Sequence, residues 1–287
     1  HLLFTGSTRV GAQIMQAASK NLVPVTLELG GKSPVIIGRS ANLELAGTRL
    51  TFSKFLNGGQ LCLSPDYVLV PRELEEQLVA RVIHEAQSMY PNVTENEDYA
   101  GVINERHFAR LQNYIDDAVA KGAKLTIVGA DQTRASEDNR RMPLHILQNV
   151  NEDMLVMHEE IFGPILPIMS YGDITEVPDQ VEPRRNPLAM YYFGKDKSEQ
   201  EYLLSHVPSG GVCINDITLH YVQEDLPFGG VGASGMGAYH GPEGFKTLSH
   251  PRAIYSQTMI DVLPIIGARP PFGEKFRKNI RKILGAI

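Results

Sequence analysis

Two side chains in this sequence have types and settings suited to covalent chemistry. Cys62 lies in Asn57-Gly58-Gly59-Gln60-Leu61-Cys62-Leu63-Ser64-Pro65. A thiol is a nucleophile once deprotonated, and the glycines before it permit backbone angles and close approaches that other residues resist. The segment follows a helical stretch and precedes a strand. Cys62 is therefore on a loop between rigid elements, where catalytic groups concentrate. Most buried cysteines are small hydrophobes, and Cys213, inside the β-like run Gly211-Val212-Cys213-Ile214, is read that way. A nucleophilic thiol also needs a base. The candidate is Glu28, the lone carboxylate of an apolar strand from Pro24 to Leu29. A carboxylate there is costly unless it is paired or used. Pairing with Lys32 is the alternative reading.

The elements that must position these groups alternate. Strand-like runs cover 2–5, 24–29, 34–37, 67–70, 125–128, 144–147, 165–169, 190–193 and 212–215. Helical periodicity covers 10–19, 43–55, 73–89, 107–119 and 198–205, with Leu74, Leu78, Val79, Val82 and Ile83 forming one apolar stripe. Strands alternating with helices predict an α/β fold with a largely parallel sheet. Residues 132–139 read as an exposed polar loop, and Gly267 to Gly273 as a linker. Beyond it, Phe276, Ile280, Ile283, Leu284 and Ile287 share one helical face, with Lys275, Lys278, Arg281 and Lys282 largely off it. Such a tail docks on a partner subunit or lies on an anionic membrane; docking is the favoured reading.

Two glycine motifs need separate treatment. Gly6-Ser7-Thr8-Arg9-Val10-Gly11 follows a strand-like run and opens a helix, a setting that presents backbone N–H groups to an anion. A plain strand–turn–helix junction would look the same. Gly230-Val231-Gly232-Ala233-Ser234-Gly235 matches the G-x-G-x-x-G dinucleotide pattern letter for letter, but no buried strand precedes it. The residues after it, Met236 to Pro242, are too rich in Gly and Pro for the helix that the pattern requires. It reads instead as a tightly turned loop.

The bulk numbers fit an ordinary globular protein. The chain has 287 residues and a formal charge of −6, with both signs interspersed, which argues against nucleic acid as a partner. Two distant cysteines form no disulfide framework or zinc spacing, and a reducing, cytoplasmic setting fits. The nine histidines form no metal-spaced pair. A start at His1, inside an apolar run, reads as the middle of a longer protein.

In order along the chain, Phe4-Thr5-Gly6-Ser7-Thr8, Leu27-Glu28-Leu29-Gly30-Gly31-Lys32-Ser33-Pro34, Gly59-Gln60-Leu61-Cys62, Glu159-Glu160-Ile161-Phe162-Gly163-Pro164 and Pro227-Phe228-Gly229-Gly230 resemble the aldehyde dehydrogenase superfamily. The 34-residue interval from Glu28 to Cys62 suits that family. Leu226 to His240 and Cys62-Leu63-Ser64-Pro65-Asp66-Tyr67 look most like its class 3 and coniferyl aldehyde branch. The resemblance implies NAD or NADP as cofactor, an aromatic or aliphatic aldehyde as substrate, and a homodimer. It implies that Cys62 attacks the aldehyde and that Glu28 activates the water that cleaves the thioester. Gly6, Ser7, Gly11 and Leu29 would contact the cofactor, Glu160 would hold its nicotinamide ribose, Phe162 would pack near the nicotinamide, and Phe228 would line the substrate channel. It further implies an aldehyde dehydrogenase-like catalytic domain over 30–235, preceded at 1–29 by the last unit of a Rossmann-like cofactor domain and followed at 236–287 by a C-terminal segment with the basic tail. Most of the cofactor domain, with an Asn that completes the oxyanion hole, would lie upstream, so activity is not expected of this part alone. The competing readings are a catalytically silent structural or binding relative, an acylating dehydrogenase, which would need no hydrolytic base, and a cofactor-free thiol hydrolase, which would want a His or Asp near Cys62.

Overall fold

The apolar runs of the sequence become the strands of two sheets, and the periodic stretches become the helices that cover them. The computed structural model describes residues 1–129, 139–184 and 186–285. The expected loop at 132–139, except Asn139, and the tail's Ile287 lie outside the described residues. Strand β1 (Leu2–Gly6), helix α1 (Thr8–Ser19) and β2 (Val25–Leu29) form a parallel strand–helix–strand unit. The chain then passes through Gly30 to Ser33 into β3 (Pro34–Ile37), α2 (Leu43–Phe55), β4 (Tyr67–Pro71), α3 (Glu75–Met89), α4 (Glu105–Ala120), β5 (Lys124–Val128), β6 (Leu144–Gln148) and β7 (Ile165–Tyr171). It continues with α5 (Val177–Val181), β8 (Ala189–Phe193), α6 (Lys197–His206), β9 (Gly211–Ile214), β10 (Gly235–Met236), α7 (Gly241–Thr247), α8 (Val262–Ile265) and α9 (Glu274–Leu284).

The larger sheet has the order β5-β6-β7-β4-β3-β8-β9 and is parallel except for the β5–β6 pair. Its central strands are buried along their whole length, which is why they read as continuous apolar runs. Alternate residues feed opposite layers. Val35, Ile37, Val68 and Val70 pack with Leu50 of α2 and Leu78 and Val82 of α3. Ile36, Tyr67 and Leu69 pack with Phe108, Leu111 and Ile115 of α4. Side chains start two of these helices: Asn42 accepts from the Leu45 N–H (3.1 Å) and Asn104 from the His107 N–H (3.0 Å).

The smaller sheet has the order β1-β2-β10, with β10 antiparallel to β2. Sequence reading missed β10, which is two residues long and lies at the end of the G-x-G-x-x-G loop. The loop's glycines serve close backbone packing. Gly235 has φ +139°, and a methyl group there would overlap the Leu27 carbonyl. One at Gly230 would overlap the Ser234 carbonyl. Helix α7 begins at Gly241, inside a stretch expected to be too rich in Gly and Pro; Pro242 sits in its first turn, where a missing N–H costs nothing. The strand expected over 212–215 stops at Ile214 because Asn215 turns left-handed, at φ +55°.

Residues His1–Ser249 form one unit and His250–Ile287 a second. Residues 236–249, grouped with the tail on sequence alone, fall in the first. Within the second unit, α9 is tied to the end of α8 by an Asn279 side-chain bond to the Ile266 carbonyl (2.9 Å), and Ile283 and Leu284 are exposed. Among the described residues no helix is long and apolar enough to cross a membrane.

Gly235→Ala is expected to destabilise the protein by about 1–3 kcal/mol, the usual cost of a strained backbone position. A denaturant midpoint equal to that of the wild type would show that β10 does not depend on this backbone conformation.

Candidate active site

The site forms where the chain leaves the small sheet and enters the large one. Glu28 lies in β2, between Thr5 of β1 and Gly235 of β10, and is only 4% exposed. Cys62 lies between a short 3-10 turn (Leu56–Gly59) and β4. The two side chains meet: the Cys62 thiol donates to Glu28 Oε1 at 3.1 Å. Lys32, the alternative partner for Glu28, instead forms a buried ion pair with Asp66.

The geometry of the cysteine loop follows from its residue types. Asn57, Gly58 and Gly59 all have left-handed backbones, at φ +52°, +63° and +74°. A methyl group at Gly59 would overlap the Gly163 carbonyl, so glycine lets this loop touch the Glu160–Gly163 segment. Gln60 braces the turn. Its amide nitrogen donates to the carbonyls of Asn57 (3.0 Å) and Gly101 (3.1 Å), and its oxygen accepts from the Ile103 N–H (2.9 Å). Past the cysteine, the Tyr191 hydroxyl donates to the Leu63 carbonyl (2.8 Å). Burial pushes the Cys62 thiol well above its ordinary pKa, and the Glu28 carboxylate adds to the shift by its charge and by accepting the thiol hydrogen bond. The resting group is therefore a thiol aimed at a proton acceptor.

An aromatic wall stands beside the pair. Phe228 is buried and packs edge-on against Tyr239 (centroids 5.6 Å apart) and Tyr221 (4.9 Å). His240 lies 5.3 Å from Phe228. Cys62 and Tyr239 both pack on the core cluster that contains Phe228. The Tyr239 hydroxyl is pushed up by burial first, and then by the charge of Glu28, with smaller effects from Tyr221 and Cys62. Phe228 was singled out in the sequence, but Tyr221, Tyr239 and His240 were not. The available signal was their place flanking the same glycine loop.

The residues that the resemblance links to a cofactor fall into two groups. At the first, Ser7 caps α1 by accepting from the Val10 N–H (3.4 Å), and Gly6 ends β1. Gly11 faces Leu29, where a side chain on residue 11 would collide with the leucine methyls, so that glycine is explained by helix–strand packing. Glu160 forms the second, over Gly30, two residues past Glu28; a methyl group on Gly30 would overlap its carboxylate. Burial, followed by the charge of Asp66, raises the Glu160 carboxyl to about 8. Its Oε1 is buried without a hydrogen-bond partner. An unpartnered oxygen in a glycine-made recess suits a hydroxyl donor such as that of a ribose. Phe162 follows with a left-handed backbone at φ +52°. Sequence reasoning named Lys32 only as a possible partner of Glu28 and gave Asp66 no role, although each lies four residues beyond a catalytic candidate and the two are separated by the same 34 residues.

Comparison with known proteins identifies the family and the fold. A model of the aldehyde dehydrogenase family matches residues 1–254. The chain is 46% identical over 281 residues to a probable coniferyl aldehyde dehydrogenase of Caulobacter vibrioides, covering 98% of this chain and 58% of that protein. It thus spans a little over half the length of that relative. The solved substrate-bound state of Staphylococcus aureus AldH has a TM-score of 0.88 at 38% identity, covering 98% of this chain and 60% of that one. A betaine aldehyde dehydrogenase of the same organism, solved in complex with NAD+, has a TM-score of 0.76 at 26% identity, covering 85% and 49%. On the family match and the fold together, this chain belongs to the aldehyde dehydrogenase family.

Proposed function

We propose that this chain carries the nucleophile and hydrolytic base of an NAD(P)-dependent aldehyde dehydrogenase, which converts an aromatic or aliphatic aldehyde to its carboxylic acid. The observation that carries the reading is the partly buried contact of 3.1 Å between Cys62 and Glu28. As the sulfur adds to the aldehyde carbon, its proton passes to Glu28, and the carbonyl oxygen takes up the negative charge of a thiohemiacetal. When bound, the cofactor would supply a hydride acceptor, and loss of hydride from the thiohemiacetal would leave the acyl group on Cys62 as a thioester. Glu28, once it has released the thiol proton to solvent, removes a proton from water, the hydroxide attacks the thioester, and the sulfur leaves as a thiolate that takes the proton back from Glu28 as the acid departs. Glu160 Oε1, buried without a partner, would accept from a ribose hydroxyl of the cofactor, Phe162 would pack near the nicotinamide, and the Gly6–Gly11 turn at the start of α1 would take a phosphate.

The substrate class is inferred from Phe228, Tyr221 and Tyr239, which offer aromatic faces to a phenyl or unsaturated chain, and from the name of the Caulobacter relative. Glu28 favours hydrolysis over acyl transfer to coenzyme A, because a hydrolytic base has no use in that transfer. The same reading takes the protein to be a cytoplasmic homodimer whose basic tail docks on the partner subunit. Removing residues 272–287 should leave binding to anionic liposomes unchanged, and a loss of binding would reverse the preference for docking over membrane contact.

An activated ester tests the cysteine without the cofactor. p-Nitrophenyl acetate should acylate Cys62, with mass spectrometry locating the acetyl group there, and Cys62→Ser should abolish it. Glu28→Gln should let the acetyl-enzyme accumulate and slow its hydrolysis by about 10²–10⁴-fold, the usual worth of a general base. Rapid acetyl loss in that variant would remove Glu28 from the mechanism, and labelling confined to Cys213 would leave the silent-relative reading standing.

The electrostatics make a second, opposite-signed prediction. Because the Glu28 charge helps hold the Cys62 thiol up, Glu28→Gln should lower the pH at which Cys62 ionises. The pH profile of iodoacetamide labelling should then shift toward lower pH even as deacylation slows. A shift toward higher pH would show that Glu28 favours the thiolate.

A further inference from the structure

The Lys32–Asp66 pair occupies a position that the chemistry above does not use. Both side chains are only 3% exposed. Lys32 has three ammonium donors, and all three are engaged: one on Asp66 Oδ2, one on the Val156 carbonyl (2.8 Å) and one on the Glu159 carbonyl (3.0 Å). The other carboxylate oxygen of Asp66 accepts from the Ile161 N–H at 2.8 Å. One ion pair therefore grips residues 156–161 at three backbone points. The grip brackets Glu160 on both sides, at the Glu159 carbonyl and the Ile161 N–H.

The surroundings fit this role. Arg110 holds the outer side of the same segment, donating to the carbonyls of Glu160 (3.3 Å) and Ile161 (2.7 Å). The Asp66 N–H donates to the Ser33 carbonyl (2.9 Å), which locks the two charged residues' own segments together. A buried ion pair is weak evidence for stability, because two charges must be stripped of water and an apolar pair of similar volume often does as well. Its distinctive contribution is directional hydrogen bonding. Here every bond that is not internal to the pair or its own strands goes to the Glu160 segment. That segment needs restraint: Glu160 is buried with an unpartnered oxygen, and Phe162 holds a left-handed backbone that a non-glycine residue adopts only when its surroundings impose it.

We propose that Lys32 and Asp66 are positioning residues, clamping residues 156–161 so that the Glu160 carboxylate stays over Gly30 with one oxygen free for the cofactor. The clamp also explains why these charges sit four residues past Glu28 and Cys62: the segments that deliver base and nucleophile then fix the cofactor-side carboxylate. The role in cofactor binding rests on the proposed function, but the clamp itself is measurable without it.

The test uses the full chain with Asp66→Asn, Lys32→Met and the double substitution Lys32→Met/Asp66→Leu. The double variant removes both charges of the pair, so neither is left without the other, and it should keep a cooperative melt even if a single variant fails to fold. Amide exchange across residues 157–163 should accelerate by about tenfold or more in the double variant, while the β3 and β4 amides stay protected. In Lys32→Met the Glu160 carboxyl, read by NMR of labelled glutamate, should fall from about 8 toward the ordinary carboxylate range as the freed loop lets in water, whereas loss of the lysine charge alone would raise it. A simple loss of stability would not move that titration in a folded protein. A folded double variant with unchanged exchange at Ile161 would overturn the clamp. Failure of the wild type to acylate at Cys62 would instead reject the proposed chemistry, and the exchange data would still decide on the clamp.

Discussion

The site depends on one contact, a thiol against a buried carboxylate, and the surrounding backbone is packed so that the two side chains can meet. Glu28 belongs to the small sheet and Cys62 to a loop feeding the large one. They meet because the chain crosses between sheets in the four residues Gly30 to Ser33. Two of these are glycines, and both are needed for space: Gly30 faces the Glu160 carboxylate, and Gly31 approaches the backbone of Pro187 and Leu188. On the opposite side, Gly59 lies against the Gly163 carbonyl. A side chain at Gly30 would displace the Glu160 carboxylate, and one at Gly59 would push the cysteine loop off the Gly163 carbonyl.

The electrostatics of such a site cut against a ready-made thiolate. Reactive cysteines with depressed pKa values sit near cations or helix N-termini. Cys62 has Glu28 in contact, and Glu160 adds to the upward shift of its thiol. The nearby buried cations are directed elsewhere: Lys32 is held by Asp66, and Lys54 donates to the Pro65 carbonyl. A protonated thiol is a poor target for oxidants, which attack thiolates. Under the proposed function, the arrangement would store the nucleophile in unreactive form, with its base already hydrogen-bonded, and would leave deprotonation to the moment a carbonyl carbon arrives.

What was legible in the sequence followed from length and periodicity. The strands at 34–37 and 67–71 and the helices at 43–55 and 105–120 carry enough apolar pattern to be read within a residue or two. Glu28 was visible as a carboxylate in an apolar strand, and Cys62 as a thiol in a glycine turn. The resemblance added Glu160, Phe162 and Phe228, which no local pattern would have selected. The Lys32–Asp66 pair was hidden for a physical reason. A sequence reader pairs Lys32 with the nearest acid, Glu28, whereas β2 and β3 belong to different sheets and the lysine faces a partner 34 residues away. Strand β10 was hidden because two residues carry no period.

The glycine loop shows how one string of letters serves opposite physics. In a dinucleotide fold, G-x-G-x-x-G lets a helix N-terminus approach a pyrophosphate. Here Gly230 to Gly235 turns the chain back so that β10 can lie antiparallel on β2, with the Leu29 N–H donating to the Ser234 carbonyl (3.0 Å). That pairing closes the second edge of the strand carrying Glu28 and removes the carboxylate from solvent. The residues flanking the loop, Phe228 before it and Tyr239 after it, are thereby delivered to the same side as Cys62. A single turn thus buries the base and raises the aromatic wall. The glycines are needed because the loop packs its own carbonyls closer than any Cβ would allow.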